Sequence, residues 1–427
     1  MIFHPYKALV LLVLAVHALA VNASTADQKS ALTLNNAERQ ALSNEPGAQA
    51  LQLKASALAS EAVAAAQLPD PKLQVSLDNL PTDGFKFDQE PMTQFKIALS
   101  QQIPATGALE AQSGIRKEQS QAASNQAMDR QLQVLRQVRE EWLELYYWQQ
   151  AKEVVSTSKT VFKQLLAVVN SLYKVGRKNQ HDLLRAELEL SRLDDRLIDI
   201  DDEIARQRAR LSQWIGDDAN RSIASELPQW QLANNIDAQL LQQHPAMMAL
   251  DRQVEARQRH IALAESSYRP NWGVNVSYGH RQEDFTGRDL PDFFSAGVTV
   301  QLPLFTDKRQ DQKYRASVDQ HQAALSDRQQ NLLALRSQLD NHLSNARHLK
   351  QRFELFQQTI LVQAGQQADS ALKAYRSDAA DFDEVMRSVL AELSAQLENQ
   401  RLQINYFKSL ARVRYLVDFN EIKEIAQ

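Results

Sequence analysis

Apolar positions in this chain follow two different periods. Leu132, Leu135, Val138, Trp142 and Leu145 step by three and four, and Leu193, Leu197, Ile200, Ile204, Leu211 and Ile215 follow a near-heptad. Leu339, Leu343, Ala346, Leu349, Phe353, Phe356 and Ile360 again step by three and four later in the chain. This spacing predicts the seam of long packed helices, and Gln, Arg, Asp and Glu occupy the other faces as solvated positions should. Every proline lies outside two windows, 105–227 and 304–427, so neither window contains the residue that breaks helices most strongly. A helix over 106–172 would be roughly 100 Å long, against about 11–12 residues for an average globular helix. Helices of that length cannot bury themselves in one compact core, and they imply a rod, a tube or an assembly. Breaks are expected near Gly176, between Tyr173 and Asp182, and near Asp378, between Tyr375 and Glu384. The windows therefore read as two helical hairpins, 105–215 and 304–417.

Between the helices the period changes to two. Leu73, Val75 and Leu77 alternate with Lys72, Gln74 and Ser76, and Phe95, Ile97 and Leu99 alternate with Gln94, Lys96 and Ser100. Trp272, Val274, Val276 and Tyr278 alternate with Asn271, Gly273, Asn275 and Ser277, and Phe294, Ala296, Val298, Val300 and Leu302 form the last alternating run. The expected strands are 72–80, 92–103, 271–280 and 293–302, close to the 9–11 residues that cross a bilayer at a tilt. The links at 81–91 and 281–292 are polar and rich in turn residues. One reading is an amphipathic sheet packed on its own helices. The other is a sheet in lipid, where open edges are too costly, so closure would need several chains; three would supply twelve strands.

The two periods occur twice. Pro46, Pro71 and Pro104 recur as Pro245, Pro270 and Pro303, each 199 positions on. The offset then drifts: Gln121-Ala122-Ala123 matches Gln322-Ala323-Ala324 at 201, and Tyr173 matches Tyr375 at 202. Small insertions explain such a drift, and a unit this long is a duplicated half and not a solenoid repeat. The expected organisation is a leader over 1–23, a first repeat over 24–227 and a second over 228–427.

Composition narrows the setting. The chain has 427 residues, only 11 Gly and 12 Pro, no Cys, and a net charge of −4. Scarce Gly and Pro favour helix, and the charge points to no nucleic-acid partner. Lys7, the apolar run Ala8–Val16 and Ala18-Leu19-Ala20 read as a secretory signal, with Val21-Asn22-Ala23 as a second cleavage option. Its apolar run is too short to span a bilayer. Without cysteine, neither disulfides nor an acylated N-terminal cysteine can form. Phosphate-loop, dinucleotide and zinc-protease signatures do not occur. His342 and His348, the closest histidines, are six residues apart and share a helix face poorly. No catalytic, cofactor or metal site is therefore expected.

Taken together, the chain resembles the TolC-type outer-membrane efflux proteins over nearly all of its mature length. Tyr173-Lys174-Val175-Gly176, followed by Asp182-Leu183-Leu184, looks like that family's hairpin tip. Leu68-Pro69-Asp70-Pro71-Lys72-Leu73, with Asn79-Leu80-Pro81, is similar to the heavy-metal (Czc/Cus-like) branch. The resemblance implies a mainly α fold with a small β portion, assembled as a homotrimer. Twelve strands would form a barrel in outer-membrane lipid, and the helices a periplasmic tunnel. It also implies a periplasmic adaptor and an inner-membrane RND-type pump as partners, and passive conduction, with metal cations as cargo if the branch holds. The competing readings are a periplasmic adaptor or coiled-coil interaction protein, and a drug or organic-compound duct of the same fold; adaptors carry one hairpin flanked by Gly-rich β-domains, unlike this pattern.

The resemblance places a gate at the helix tips. Tyr375, Asp182 and Glu384 fall at its gate positions; Ala380 stands where the family has arginine, with Arg376 nearby, and Arg387 stands where it has a second acid. Asp378, Asp381, Asp383 and Glu384 lie within seven residues. In a trimer each inward-facing acid becomes a ring of three, which selects cations. Alternatively these acids simply favour the positive end of a helix dipole. Tyr173, Lys174, Gly176, Arg177 and Lys178 form the candidate adaptor-docking tip, with plain solvated charge as the other reading.

Overall fold

The computed structural model describes residues 31–425 except 44, 178, 234, 235 and 378. The expected leader at 1–23, Lys178 and Asp378 lie outside the described residues.

Each half opens with a helix that leads to a strand pair. Helix α1 (Leu34–Ser43) is followed by α2 (Pro46–Ala65), β1 (Lys72–Asp78), β2 (Gln94–Ile103), α3 (Ala108–Lys174) and α4 (Gln180–Ile215). The second half runs α5 (Pro245–Ser266), β3 (Asn271–His280), β4 (Phe293–Gln301), α6 (Gln310–Leu355), a π-turn (Phe356–Ile360), α7 (Leu361–Arg376), α8 (Phe382–Val417) and a short α9 (Glu421–Ile425). Pro46 and Pro245 open α2 and α5 at the first helical turn, where a missing N–H costs nothing. The caps before them differ in chemistry: the Glu45 carboxylate accepts from the Ala48 N–H, and His244 Nδ1 accepts from the Ala246 N–H at 3.2 Å.

Helix α3 has 67 residues, about 100 Å at 1.5 Å each, and α4 has 36. In the second half, Gln310 to Arg376 covers the same length as α3, and α8 again has 36 residues. The one irregularity is the π-turn. A π-turn accommodates a single extra residue in an α-helix. It lies between the alanine pair matched at an offset of 201 and the tyrosine matched at 202, so it absorbs one residue of the drift. The other two residues fall between Pro303 and Gln322, where the second half has the longer link into its long helix.

The strands form one antiparallel sheet in the order β1-β2-β3-β4, so the central pair β2–β3 joins the two halves. β1 stops at Asp78 because Asn79 adopts φ +58°; its Nδ2 donates to the Met92 carbonyl and its own carbonyl accepts from the Thr93 hydroxyl. In cross-strand register, Val75, Ile97, Tyr278 and Phe294 form one row, and Leu73, Leu99, Val276 and Ala296 another. Gln74, Ala98, Ser277 and Ser295 form a row on the opposite face.

The core lies in the helices. α3 is central and packs on α2, α4, α5 and α8. Trp142, fully buried, donates its indole N–H to the Leu32 carbonyl at 3.1 Å, so the chain before α1 is held against the middle of α3. Nearby, Arg139 is 3% exposed and bridges Glu38 of α1 and Glu421 of α9 at 2.5 and 2.8 Å. Further along, α3 and α8 are joined by charge. Glu140 takes a bidentate pair from Arg412 at 3.1 and 2.9 Å, and Glu144 pairs with Arg401 at 2.9 Å and with Lys408.

Candidate functional site

Two surfaces carry unusual chemistry. The first is the sheet. Leu73, Val75, Leu77, Phe95, Ile97, Leu99, Trp272, Val274, Val276, Tyr278, Phe294, Val298 and Val300 are all exposed, and the register puts them on one face. Monomeric soluble proteins rarely expose so large a contiguous apolar patch. The opposite face is polar and small, with Gln74, Ser76, Ser100, Gln102, Asn275, Ser277 and Thr299. Apolar on one side, polar on the other and open at β1 and β4, the sheet has the pattern of a wall between lipid and water. No described helix is long and apolar enough to cross a membrane.

The second surface is the pair of hairpin tips. The α3–α4 turn closes with two backbone bonds, Gly176 N–H to the Tyr173 carbonyl and Arg177 N–H to the Leu172 carbonyl, both 2.9 Å. This is a Schellman cap, whose left-handed position suits glycine; Gly176 sits at φ +73° with open space where a Cβ would be. In the α7–α8 turn the Ala379 N–H reaches the Ala374 carbonyl at 2.8 Å, the equivalent outer bond.

The two tips are otherwise built differently. Tyr173 is 40% exposed, whereas its counterpart Tyr375 is 1% exposed, with its ring 5.8 Å from Phe382. The position matching Phe382 in the first half is Gln180, which gives Tyr173 no apolar partner. Tyr173, Lys174, Gly176 and Arg177 thus form an exposed tip, while Tyr375 is a core residue that ties α7 to α8. Asp182 lies in the first turn of α4, and Asp383 and Glu384 in the first turn of α8. Asp381 is the exposed N-cap residue of α8, and its carbonyl accepts from the Glu384 N–H at 3.1 Å.

Of the acids in this group, the structure brings Asp383 onto a cation of the other half. Arg185 Nη1 of α4 pairs with Asp383 Oδ1 at 2.5 Å. Arg387 Nε adds a bond to the Asp383 carbonyl at 3.3 Å. Sequence reasoning singled out Asp383 but missed Arg185. The available signal was the repeat itself, since Arg185 and Arg387 occupy matching positions at an offset of 202. Among the described residues, no cluster of three or more His, Asp or Glu is arranged to hold a metal ion.

Charge between α3 and α8 sets the protonation of the shaft. Burial by itself would raise the Glu140 carboxyl, but the hydrogen bonds and charges of Arg412 and Arg136 outweigh it and hold the group below its ordinary 4.5. Glu144 is lowered the same way, burial being overcome by Lys408 and Arg401. Glu141, between them, is raised by burial. Burial also lowers His244 from 6.5, in keeping with a neutral ring whose Nδ1 accepts the Ala246 N–H while Nε2 faces the Tyr415 carbonyl at 3.1 Å.

Comparison with other proteins agrees with this geometry. Residues 238–413 match the model of the outer membrane efflux protein family. None of the curated proteins matches the chain. The chain is similar in structure to the outer membrane protein VceC from Vibrio cholerae, at 18% identity and a TM-score of 0.76, over 90% of this chain and 95% of that one. It is similar to the Campylobacter jejuni CmeC outer membrane channel, at 14% identity and a TM-score of 0.77, over 92% of this chain and 89% of that one. The open-state Neisseria gonorrhoeae MtrE outer membrane channel matches at 13% identity and a TM-score of 0.74, over 90% and 88%. The family match covers much of the second half, and the structural likeness extends across both halves. The chain therefore has the fold of these outer-membrane channels.

Proposed function

We propose that the chain is the outer-membrane duct of a tripartite efflux system, a homotrimer that conducts its cargo passively. The observation that carries this reading is the sheet: a wholly exposed apolar face and two open edges, joined to hairpins about 100 Å long. β1 and β4 run antiparallel to each other, so β4 of one copy can pair with β1 of the next. Three copies then close twelve strands with no free edge. The helices continue the lumen as a periplasmic tunnel, with the tips at its far end. An adaptor docks on the exposed first tip around Tyr173, Lys174, Gly176 and Arg177, and a proton-driven inner-membrane pump supplies the cargo.

The gate lies at the tips, where Arg185 and Asp383 latch the two hairpins together. Asp182, Asp381 and Glu384, repeated around a three-fold axis, add rings of negative charge that favour cations. This fits a metal-cation cargo, in line with the Leu68–Leu73 segment. A conduit releases what it carries, so no chelating cluster is required.

The test is reconstitution. The full-length protein in planar bilayers should give a long-lived aqueous conductance with cation preference, and mass photometry in detergent should give three copies. A monomer with no conductance in any lipid would sink the reading. Metal sensitivity of a deletion strain separates a metal cargo from an organic one.

A further inference from the structure

The link from strand to long helix differs between the two halves in exposed apolar surface. In the first half Pro104 passes almost directly into α3, with Ala105 buried and Gly107 at φ +87°. In the second half Leu302-Pro303-Leu304-Phe305-Thr306-Asp307-Lys308-Arg309 intervenes. Leu304 is 72% exposed and Phe305 is 87% exposed. The segment is nonetheless built. The Thr306 carbonyl accepts from the N–H groups of Arg309 and Asp311 at 3.0 and 3.1 Å. Gln312 Nε2 donates to the Asp307 carbonyl at 3.0 Å, and the Tyr268 hydroxyl donates to the Asp311 carboxylate at 2.7 Å. A closed turn therefore holds two large apolar side chains away from the protein, a loss in water that is recovered only where something apolar covers them.

Two features identify the cover. Val298 and Val300 lie on the apolar face of β4, and the exposed Leu302, Leu304 and Phe305 follow directly on the strand end, where the Leu304 N–H bonds the Leu302 carbonyl at 3.1 Å and turns the chain, so apolar surface continues past the strand. Immediately beyond, Lys308, Arg309, Lys313 and Arg315 are exposed, and among the described residues none has a carboxylate at ion-pair distance. The matching stretch of the first half at the local offset of 201, Gly107 to Gly114, contains no basic residue. An apolar wedge beside unpaired cations matches the boundary of a bilayer with anionic headgroups.

We propose that residues 302–315 are an interfacial anchor for anionic phospholipid. Leu304 and Phe305 enter the acyl boundary of the leaflet on the helical side, and the four basic residues hold phosphate headgroups above it. The assignment rests on the outer-membrane reading, and its test keeps the two apart. The full-length protein is placed in phosphatidylcholine vesicles with increasing phosphatidylglycerol, using lipids brominated near the headgroup end. Trp272, exposed on the apolar face of β3, reports the barrel; Phe305→Trp adds a reporter on the anchor. The added indole is expected to be quenched, with half-maximal quenching at a lower fraction of brominated phosphatidylglycerol than of brominated phosphatidylcholine, by about fivefold for each basic residue engaged. The double substitution Lys308→Gln, Arg309→Gln should reduce that preference and leave quenching by phosphatidylcholine in place. An unquenched indole at 305 beside a quenched Trp272 would overturn the anchor. Equal quenching by the two lipids would overturn the headgroup assignment. An unquenched Trp272 would overturn the barrel reading, and the anchor with it.

Discussion

Arg185→Ala should open the gate, by an amount that the geometry bounds. The Arg185–Asp383 pair joins helices from opposite halves, with side chains 38% and 50% exposed. A half-solvated pair of this kind is worth about 0.2–1 kcal/mol. If three copies release together, the closed state loses about 0.6–3 kcal/mol, and the ratio of open to closed channels rises about 3- to 150-fold. Single-channel recording of the full-length protein reads that ratio directly. Asp383→Ala should give the same shift, because the Arg387 bond goes to the backbone carbonyl and survives the substitution. The double variant should open no further than either single variant, and Arg185→Asp with Asp383→Arg should restore the closed state. Raising salt from about 0.15 to 1 M shortens the Debye length from about 8 to 3 Å, so the wild type should drift towards the variants. Additive effects in the double variant, or a charge swap that stays open, would refute the latch.

Other substitutions test the remaining structure. Ile97→Lys, in the middle of the apolar face, should cost about 2–4 kcal/mol in lipid and prevent membrane assembly as read by heat-modifiable migration, whereas Ser100→Lys on the polar face should assemble. Arg139→Leu strands the buried carboxylate of Glu38, while Glu421 keeps Arg414, and should lower stability by about 3–5 kcal/mol in denaturant titration followed by helical signal. Thermal stability should fall with acid in two stages. A lowered histidine favours the neutral folded form, so the His244 contribution is complete above pH 6.5 and fades as pH falls through the depressed value. The lowered carboxyls of Glu140 and Glu144 contribute fully above pH 4.5 and lose that contribution below it; Glu140→Gln should flatten the second stage, and a curve unchanged by it would contradict the assignment. Deleting Gln357 should convert the π-turn to regular α-helix and leave the tip in register, so folding and conductance survive. Deleting Gln367 of α7 should displace Tyr375 and Asp383 and abolish the closed state.

What could be read from the sequence follows the range of the forces involved. Strand and helix periods are local, so the four alternating runs and the proline-free windows could be located from a few neighbouring residues each. The π-turn showed only as a one-residue slip between two matched stretches, because a single insertion leaves composition and period nearly unchanged. The latch was harder to see, since Arg185 and Asp383 are 198 positions apart and meet only when the two hairpins lie side by side. Tyr375 shows the opposite limit. The tip motif placed Tyr375 at the gate and Tyr173 at the docking tip, but the repeat alone did not show that they differ in burial, which one neighbour sets: Phe382 gives Tyr375 an apolar wall, and Gln180 gives Tyr173 none. The repeat therefore supplies position, while the residue opposite each position decides whether a tyrosine closes a core or stays exposed. On that argument Gln180→Phe should bury Tyr173 and weaken adaptor docking at the first tip, leaving the latch unaffected.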